Sequence, residues 1–332
     1  MLITDNPIGS LPTTVVVDGN NLIIQENGNV VVSEWMQTGY EITNGKITVK
    51  VGDYVSNYDE LSNGIQNSTI ETKKSGYTAT QNLATENLGW RILGIGENGG
   101  LELISDNPTS AKITLSGEIG YLNAEEVLNI TCNELYGKGQ YAESARSLNV
   151  EDINKLANYD PKTYSGYGDL WKYRFSTDTN SMQYSTSKDK GENWTDWKNI
   201  TVTGAEFQKF RMPGSTETIS VENPKESEEI KYTSYSYTIS SNMPDIKMAD
   251  MITKGIGENY IGQWLASCTV FCNTNAASFY VHRVSDNGKM NYCHLYNSYE
   301  YLESPSYAVH PVVTLQSNIK LEGNSEDGWT IK

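Results

Sequence analysis

Short β-branched runs separated by turn signals dominate the first part of the chain. Residues 13–31 read TVVVDGNNLIIQENGNVVV, in which Asp18-Gly19 and Asn27-Gly28 stand between apolar runs. Such dipeptides are typical of tight hairpin turns, so the pattern predicts paired antiparallel strands. The segment ITVKVGDYV (47–55) predicts one further strand, and the polar residues 56–86 predict a long loop.

A second strand pair is predicted at 90–105, WRILGIGENGGLELIS. Gly94, Gly96 and Gly99 match the spacing G-x-G-x-x-G of dinucleotide-binding loops, which require a helix directly after the glycines. Because the strand-like segment LELIS follows instead, we interpret the glycines as a hairpin turn and predict no nucleotide cofactor.

Helical periodicity occurs in three segments. Asn123 with Glu126 forms a capping-box pattern, and Gly137 is the expected stop of this first helix. Its predicted apolar face comprises Val127, Leu128, Thr131, Cys132 and Leu135. Asn149 is predicted to cap a second helix within 147–159. The buried face of that helix comprises Val150, Ile153, Leu156 and Ala157. A third short helix is predicted to start near Pro244. It would bury Ile246, Ala249 and Ile252.

Residues 160–241 have a different character, with many Tyr, Trp, Ser and Thr and almost no helix signal. The pattern S-x-D-x-G-x-x-W is met by Ser187, Asp189, Gly191 and Trp194. It resembles the Asp-box hairpin of sialidases and other β proteins, where the Asp accepts backbone N–H bonds in the turn. We therefore predict an inserted β-module in which this motif has a structural role.

Composition narrows the class of protein. The chain has 332 residues and a net charge of −16, with 22 Tyr and 28 Gly, which suggests a β-rich protein of the secreted or surface type. The negative charge argues against nucleic acid and anionic lipid as partners. No apolar run has the length of a membrane span, and the first residues lack signal-peptide features. We expect an extracellular, cell-surface or virion location and no membrane insertion.

All three histidines and three of the four cysteines lie within 264–310. On a strand, Cys268 and Cys272 would be roughly 13 Å apart, which is too far for joint zinc coordination. Adjacent Cys293 and His294 would point to opposite faces. We therefore predict no metal site, although a disulfide from Cys268 or Cys272 to Cys293 stays open.

The C-terminal segment has a regular order of apolar and polar positions. WLAS is followed by the strand FYVHRV, the turn DNG at 286–288, the strand KMNYCHLYNS and a buried strand in YAVHPVVTL. The apolar positions, here called the apolar frame, are Trp264, Leu265, Val281, Val284, Leu295, Val309, Val312, Val313 and Leu315.

This segment resembles the C-terminal part of bacterial C-type-lectin-like domains, including retroelement-diversified variable proteins and surface proteins of Firmicutes. Their last strands read like WLASR, FxVRxV and VRPVV; here they are WLASC, FYVHRV and VHPVV, with Cys268, His282 and His310 in place of Arg. Upstream, VGDYV, GWRILGI, LELIS, GYLNAEEVLN and ARSLNVEDINKL are similar to the opening strands and two helices of that family. The likeness covers about 46–159 and 242–319.

The resemblance implies an α+β fold, a C-type-lectin-like domain with a mixed β-sheet and two to three short helices. An N-terminal β-hairpin segment (1–45) would precede the first part of the domain (46–159). The inserted module (160–241), the second part (242–319) and a tail (320–332) would follow. The triplets of calcium-dependent sugar-binding lectins are missing, so calcium-dependent sugar binding is not supported. Formylglycine-generating enzymes share this fold and use a close cysteine pair, but the motif around their cysteines is missing here.

We therefore predict a non-enzymatic recognition protein with no cofactor and no catalytic residues. Its ligand would be a protein or glycan bound by a Tyr- and Asn-rich surface, as in paratopes. The candidate ligand-binding residues are Thr269, Phe271, Asn273, Asn275, Tyr280, Arg283, Asn291, Tyr292, His294, Tyr296, Tyr299 and Tyr301. Two alternatives stay open: a structural subunit of a pilus or virion that assembles through its N-terminal strands, and a thiol-dependent enzyme of formylglycine-generating type.

Overall fold

The structure is a computed structural model. It describes residues 2–5, 13–18, 21–26, 29–31, 35–44, 47–58, 68–71, 78–81, 83–97, 99–158, 170–176, 181–189, 192–199, 230–233, 237–239, 243–254, 262–272, 277–297 and 302–332. These residues form mixed sheets with three helices, an α+β arrangement that consists mostly of strands.

The described elements follow one another along the chain in this order. The strands before the first helix are β1 (Leu2–Asp5), β2 (Thr13–Asp18), β3 (Asn21–Glu26), β4 (Asn29–Val31), β5 (Met36–Thr38), β6 (Glu41–Thr43), β7 (Thr48–Lys50), β8 (Tyr54–Ser56), β9 (Ser68–Glu71), β10 (Thr78–Gln81), β11 (Trp90–Ile95), β12 (Leu101–Ser105) and β13 (Lys112–Thr114). The middle of the chain has α1 (Gly117–Tyr136), β14 (Ala142–Ser147), α2 (Val150–Leu156), β15 (Leu170–Ser176), β16 (Ser181–Ser187), β17 (Lys198–Asn199), β18 (Ile230–Thr233), β19 (Tyr237–Thr238) and α3 (Ile246–Thr253). The last strands are β20 (Gly262–Cys272), β21 (Ala277–Ser285), β22 (Lys289–Asn297), β23 (Ser306–Ala308), β24 (Pro311–Leu315), β25 (Leu321–Asn324) and β26 (Gly328–Ile331).

Both N-terminal hairpins predicted from the sequence are confirmed. β2 pairs with β3 and β3 with β4 in antiparallel register, within a four-stranded sheet of order β1-β2-β3-β4. Two expectations downstream are wrong. The segment 47–55 is not one strand, because a turn at Gly52 (φ +93°) sends β7 and β8 into different sheets. The predicted loop at 56–86 contains the paired strands β9 and β10.

A seven-stranded sheet of order β14-β24-β12-β11-β8-β26-β25 collects strands from distant parts of the chain. The glycine-rich segment at 94–99 joins the antiparallel pair β11 and β12, as predicted, and a strand rather than a helix follows it. Residues 320–332 do not form a separate tail. β26 pairs in parallel with β8, and Trp329, only 4% exposed, donates its indole N–H to Asp53 Oδ2 at 2.8 Å.

Helix α1 begins earlier than predicted. Its N-cap is Ser116, and Asn123, expected as the cap, is buried inside the helix at 1% exposure. The two glycines before Asn123 are poor helix formers. Packing of Tyr121 against Phe279, with ring centroids 5.1 Å apart, accompanies the extra turns. The predicted stop at Gly137 is confirmed.

The other two helices follow their capping signals. Asn149 caps α2 through a complete capping box with Asp152, as predicted. Asp245 caps α3, and Ala249 and Ile252 are buried as expected. Ile246 is 69% exposed, contrary to expectation. It is the first helical residue, and the methionines at 248 and 251 complete the buried face in its place.

The segment predicted as an inserted module contains its own four-stranded sheet, of order β17-β16-β15-β18. Asp189 accepts hydrogen bonds from Ser187 Oγ at 2.6 Å and from the backbone N–H of Asn193 at 2.8 Å. These bonds lower the pKa of its carboxyl to about 2. The turn role predicted for this Asp is therefore confirmed, whereas Gly191 lies outside the described residues.

Candidate recognition surface

The apolar frame predicted from the sequence is buried in the structure. All nine residues are at most 1% exposed. They belong to, or directly follow, strands of the two largest sheets, the seven-stranded one and a six-stranded sheet of order β13-β23-β20-β21-β22-β19. Because successive residues of β20, β21 and β22 alternate between two sides, the positions of these buried residues fix the side on which each neighbouring polar residue lies.

The polar candidates on β21 and β22 lie on two opposite faces rather than on one surface. Tyr280 pairs with His294, and Arg283 pairs with Asn291. Directly opposed residues of an antiparallel pair share a face, and successive residues alternate between faces. A bulge between Phe279 and Tyr280 shifts the register at this point. The sequence therefore identified the strands, but it joined residues from both faces into one predicted site.

One face has four ring-bearing residues in contact, here called the aromatic stripe: Tyr280, His282, Tyr292 and His294. The Tyr280 ring lies 4.9 Å from Tyr292 and 5.2 Å from His294, both edge to face. Tyr292 is 38% exposed, His294 and Tyr280 are half-buried, and His282 is buried. The stripe thus offers exposed aromatic area that neighbouring rings hold in place.

Burial shifts the pKa values of two rings in the stripe, His294 and Tyr280. Burial lowers the pKa of His294, and the carboxylate of Glu303, 3.6 Å from its Nδ1, opposes this shift in part. Burial also raises the pKa of the Tyr280 hydroxyl. Both shifts favour the neutral forms of His294 and Tyr280, which lie near the Glu303 carboxylate.

The opposite face carries the arginine cluster: Arg283, Asn291, Cys293 and Tyr307. The Arg283 guanidinium lies over the Tyr307 ring, 4.7 Å from its centroid, and its Nη1 donates to the Tyr307 hydroxyl. Its Nε donates to Asn291 Oδ1 at 3.2 Å. Tyr307 was not among the predicted site residues, because on sequence it looks like one more aromatic before a buried strand.

The remaining candidates divide into buried residues and residues that cannot be placed. Thr269 is fully buried and Tyr296 is 3% exposed. Both were predicted to bind ligand, and burial shows that neither lies on an exposed surface. Thr269 pairs with Tyr280 from the adjacent strand β20, and Tyr296 stacks on Phe279 with centroids 5.1 Å apart. Phe271 belongs to β20, but its side chain is outside the described part of the chain. Asn273, Asn275, Tyr299 and Tyr301 lie entirely outside the described residues.

The cysteines do not form the disulfide that the sequence left open. Cys268 and Cys293 are free, and each pairs with Val281 from opposite sides, so β21 lies between them. Burial and the nearby Glu125 carboxylate raise the pKa of the Cys268 thiol well above its usual value. That environment disfavours the thiolate, which is the nucleophilic form. Cys132 lies in the core, as predicted.

His310 joins the two large sheets. It is fully buried, with Nε2 2.6 Å from the Ser105 carbonyl and Nδ1 2.9 Å from Gln263 Oε1. Burial lowers its pKa to about 4. Within the described residues no group of histidine, cysteine and acidic side chains could hold a metal ion.

Two cavities lie away from β20–β22. One, of about 550 Å³, has an apolar floor that includes Leu93 and Leu156, with Gln37 and Lys155 at its edge. The other, of about 850 Å³, lies between Arg91 and the start of α3. Sequence patterns gave no indication of either cavity, because their walls come from segments far apart in the chain.

No helix among the described residues is long and apolar enough to cross a membrane. The chain matches no protein-family model, no curated protein and no solved structure.

Proposed function

We propose that this protein recognises a protein or glycan ligand without catalysis, through the aromatic stripe on β21 and β22. The observation that supports this most is the contrast between the stripe and its base. Tyr292 is 38% exposed, whereas Val281 and Val284 on the neighbouring strand are fully buried. Tyrosines held rigidly by their neighbours lose little conformational entropy on binding, which suits a recognition surface.

The resemblance of the last strands to C-type-lectin-like domains supports the same proposal, including an extracellular, cell-surface or virion location. In that fold the polar positions of the last strands can vary over a constant apolar base. The observed base of nine buried residues is compatible with such a role. The thiol-dependent alternative is weaker, because the raised pKa of Cys268 disfavours its nucleophilic form.

Arrays of oligosaccharides and of purified extracellular proteins, probed with the labelled full chain, test the proposal. Tyr292→Ala should weaken binding to any ligand found by about tenfold or more, since a central tyrosine commonly contributes about 2 kcal/mol to an interface. Tyr54→Ala is the matched control, because Tyr54 is also exposed, at 50%, but belongs to the seven-stranded sheet.

Unfolding in urea should show that Tyr292→Ala leaves the free energy of unfolding within about 1 kcal/mol, since an exposed side chain contributes little burial. Ligand binding that Tyr292→Ala and Tyr54→Ala affect equally would contradict the proposal.

A further inference from the structure

Arg283 differs from Arg91 and Arg146 in its partners. Arg91 pairs with Asp106 at 2.5 Å, and Arg146 pairs with Glu102 at 3.0 Å and with Asp152 at 2.6 Å. Arg283 is half-buried, yet among the described residues no carboxylate lies within 4.0 Å of it. The chain has a net charge of −16, so carboxylates are plentiful, yet the Arg283 guanidinium pairs with none of those described.

The guanidinium is nevertheless held in one orientation. Tyr307 lies beneath it, and the Tyr307 ring in turn packs edge to face on Trp264, with centroids 4.7 Å apart. Gly262 lies close to this ring, and a Cβ at that position would be 2.7 Å from the Val284 carbonyl oxygen and 3.3 Å from Tyr307 Cδ1. Its φ of +123° also favours glycine. Arg283 is therefore fixed by stacking and hydrogen bonds, without an ion pair.

The groups that remain around Arg283 are hydrogen-bond donors. Within the described part of the chain, its Nη2 has no acceptor and Asn291 uses only its amide oxygen, so the amide nitrogen is available to donate. The Tyr307 hydroxyl stays protonated, since burial first and the neighbouring Cys293 second raise its pKa to about 12. A planar guanidinium fork beside an amide N–H matches the two oxygens of a carboxylate.

We propose that Arg283 and Asn291 form a subsite that binds a carboxylate group of a ligand. The subsite is independent of the aromatic stripe, because it lies on the opposite face of β21 and β22. Two nearby carboxylates oppose it: Asp286 contributes to the raised pKa of Tyr307 and Glu303 to that of Cys293, though neither forms an ion pair with Arg283. Because nearby negative charge repels an anion at longer range, the attraction between Arg283 and a ligand carboxylate acts over a short distance, and added salt weakens it.

Nuclear magnetic resonance of the full chain tests this directly. The Nε–Hε signal of Arg283, assigned by its loss in Arg283→Lys, is followed while sodium acetate is added, with sodium chloride and sodium phosphate at equal ionic strength as references. We expect a saturable shift with acetate that chloride and phosphate do not produce. Glucuronate and N-acetylaspartate amide, added in separate titrations, distinguish an acidic sugar from an acidic side chain as the source of the carboxylate.

Asn291→Asp is the decisive variant. It places a carboxylate where the amide oxygen now accepts from Arg283, so it should abolish the acetate response through internal pairing. Asn318→Asp adds the same charge at an exposed position and should keep the response. A response equal with acetate and chloride, a response to phosphate alone, or one that persists unchanged in folded Asn291→Asp would overturn the proposal.

Discussion

Arg146 and Arg283 lie in the two large sheets and differ in what surrounds their charge. Arg146, on β14, donates to two carboxylates, and Asp152 also accepts from the backbone N–H of Asn149 as part of the α2 cap. Burial alone would lower the pKa of Arg146, but hydrogen bonds and charges from Asp152 and Glu102 raise it above its usual value. Arg283 has a stacked tyrosine and an amide oxygen instead.

The difference distinguishes arginines whose ion pairs stabilise the fold from Arg283, whose charge is available to a ligand. In the seven-stranded sheet each described arginine links two parts of the chain through carboxylates, and removal of either partner leaves a poorly solvated charge. In the six-stranded sheet Arg283 is oriented by neutral groups. Its neighbours lose a contact if it is removed, but no buried charge is left behind.

The largest effect predicted by this comparison is on Arg146. Arg146→Met should lower the free energy of unfolding by about 3–5 kcal/mol, because it leaves the carboxylates of Glu102 and Asp152 largely buried without their cation. Urea unfolding at neutral pH measures the loss. The combination with Glu102→Gln should recover part of it, because one uncompensated charge is then removed as well. A loss below about 1 kcal/mol for Arg146→Met would show that the network does not hold the sheet.

A second prediction concerns a buried titratable group, His310, and the effect of its burial on stability. His310 is fully buried, and its folded pKa of about 4 lies below the ordinary value of 6.5. Folding therefore favours the neutral ring. The stability present above about pH 6.5 should be lost as the pH falls towards 4, by up to about 3 kcal/mol.

Urea unfolding between about pH 7 and pH 4.5 tests this, with His310→Gln as the non-titrating reference whose slope should be smaller. Asp189 does not interfere in this window, because its lowered pKa of about 2 places its titration at more acidic pH. The two acceptors at His310, Ser105 O and Gln263 Oε1, would suit an imidazolium. A measured pKa of 6.5 or above would show that they outweigh burial.

Features governed by local pattern could be predicted from the sequence. The hairpin around Asp18, the cap at Asn149 and the helix stop at Gly137 each depend on a few adjacent residues. The apolar frame was also predictable, because residues that alternate with polar ones along a half-buried strand indicate which side faces the core.

Features that depend on distant packing could not be predicted. The early start of α1 accompanies the contact of Tyr121 with a strand more than 150 residues later. The bulge between Phe279 and Tyr280 shifts the pairing register of β21 and β22 by one residue, so it changes which residues lie opposite each other on the two strands. Tyr307 reaches Arg283 across β20, a neighbour relation that no sequence spacing indicates.

The free energy of unfolding of Arg283→Met, without any ligand, tests the central distinction most directly. The variant keeps an unbranched apolar side chain over Tyr307 and removes the unpaired charge together with its two hydrogen bonds, to Asn291 and Tyr307. A loss of about 1 kcal/mol or less, the size of a surface cation–π contact, is the predicted result. A loss of about 3 kcal/mol or more, comparable to that expected for Arg146→Met, would contradict the account, since it would make Arg283 part of what holds the fold together.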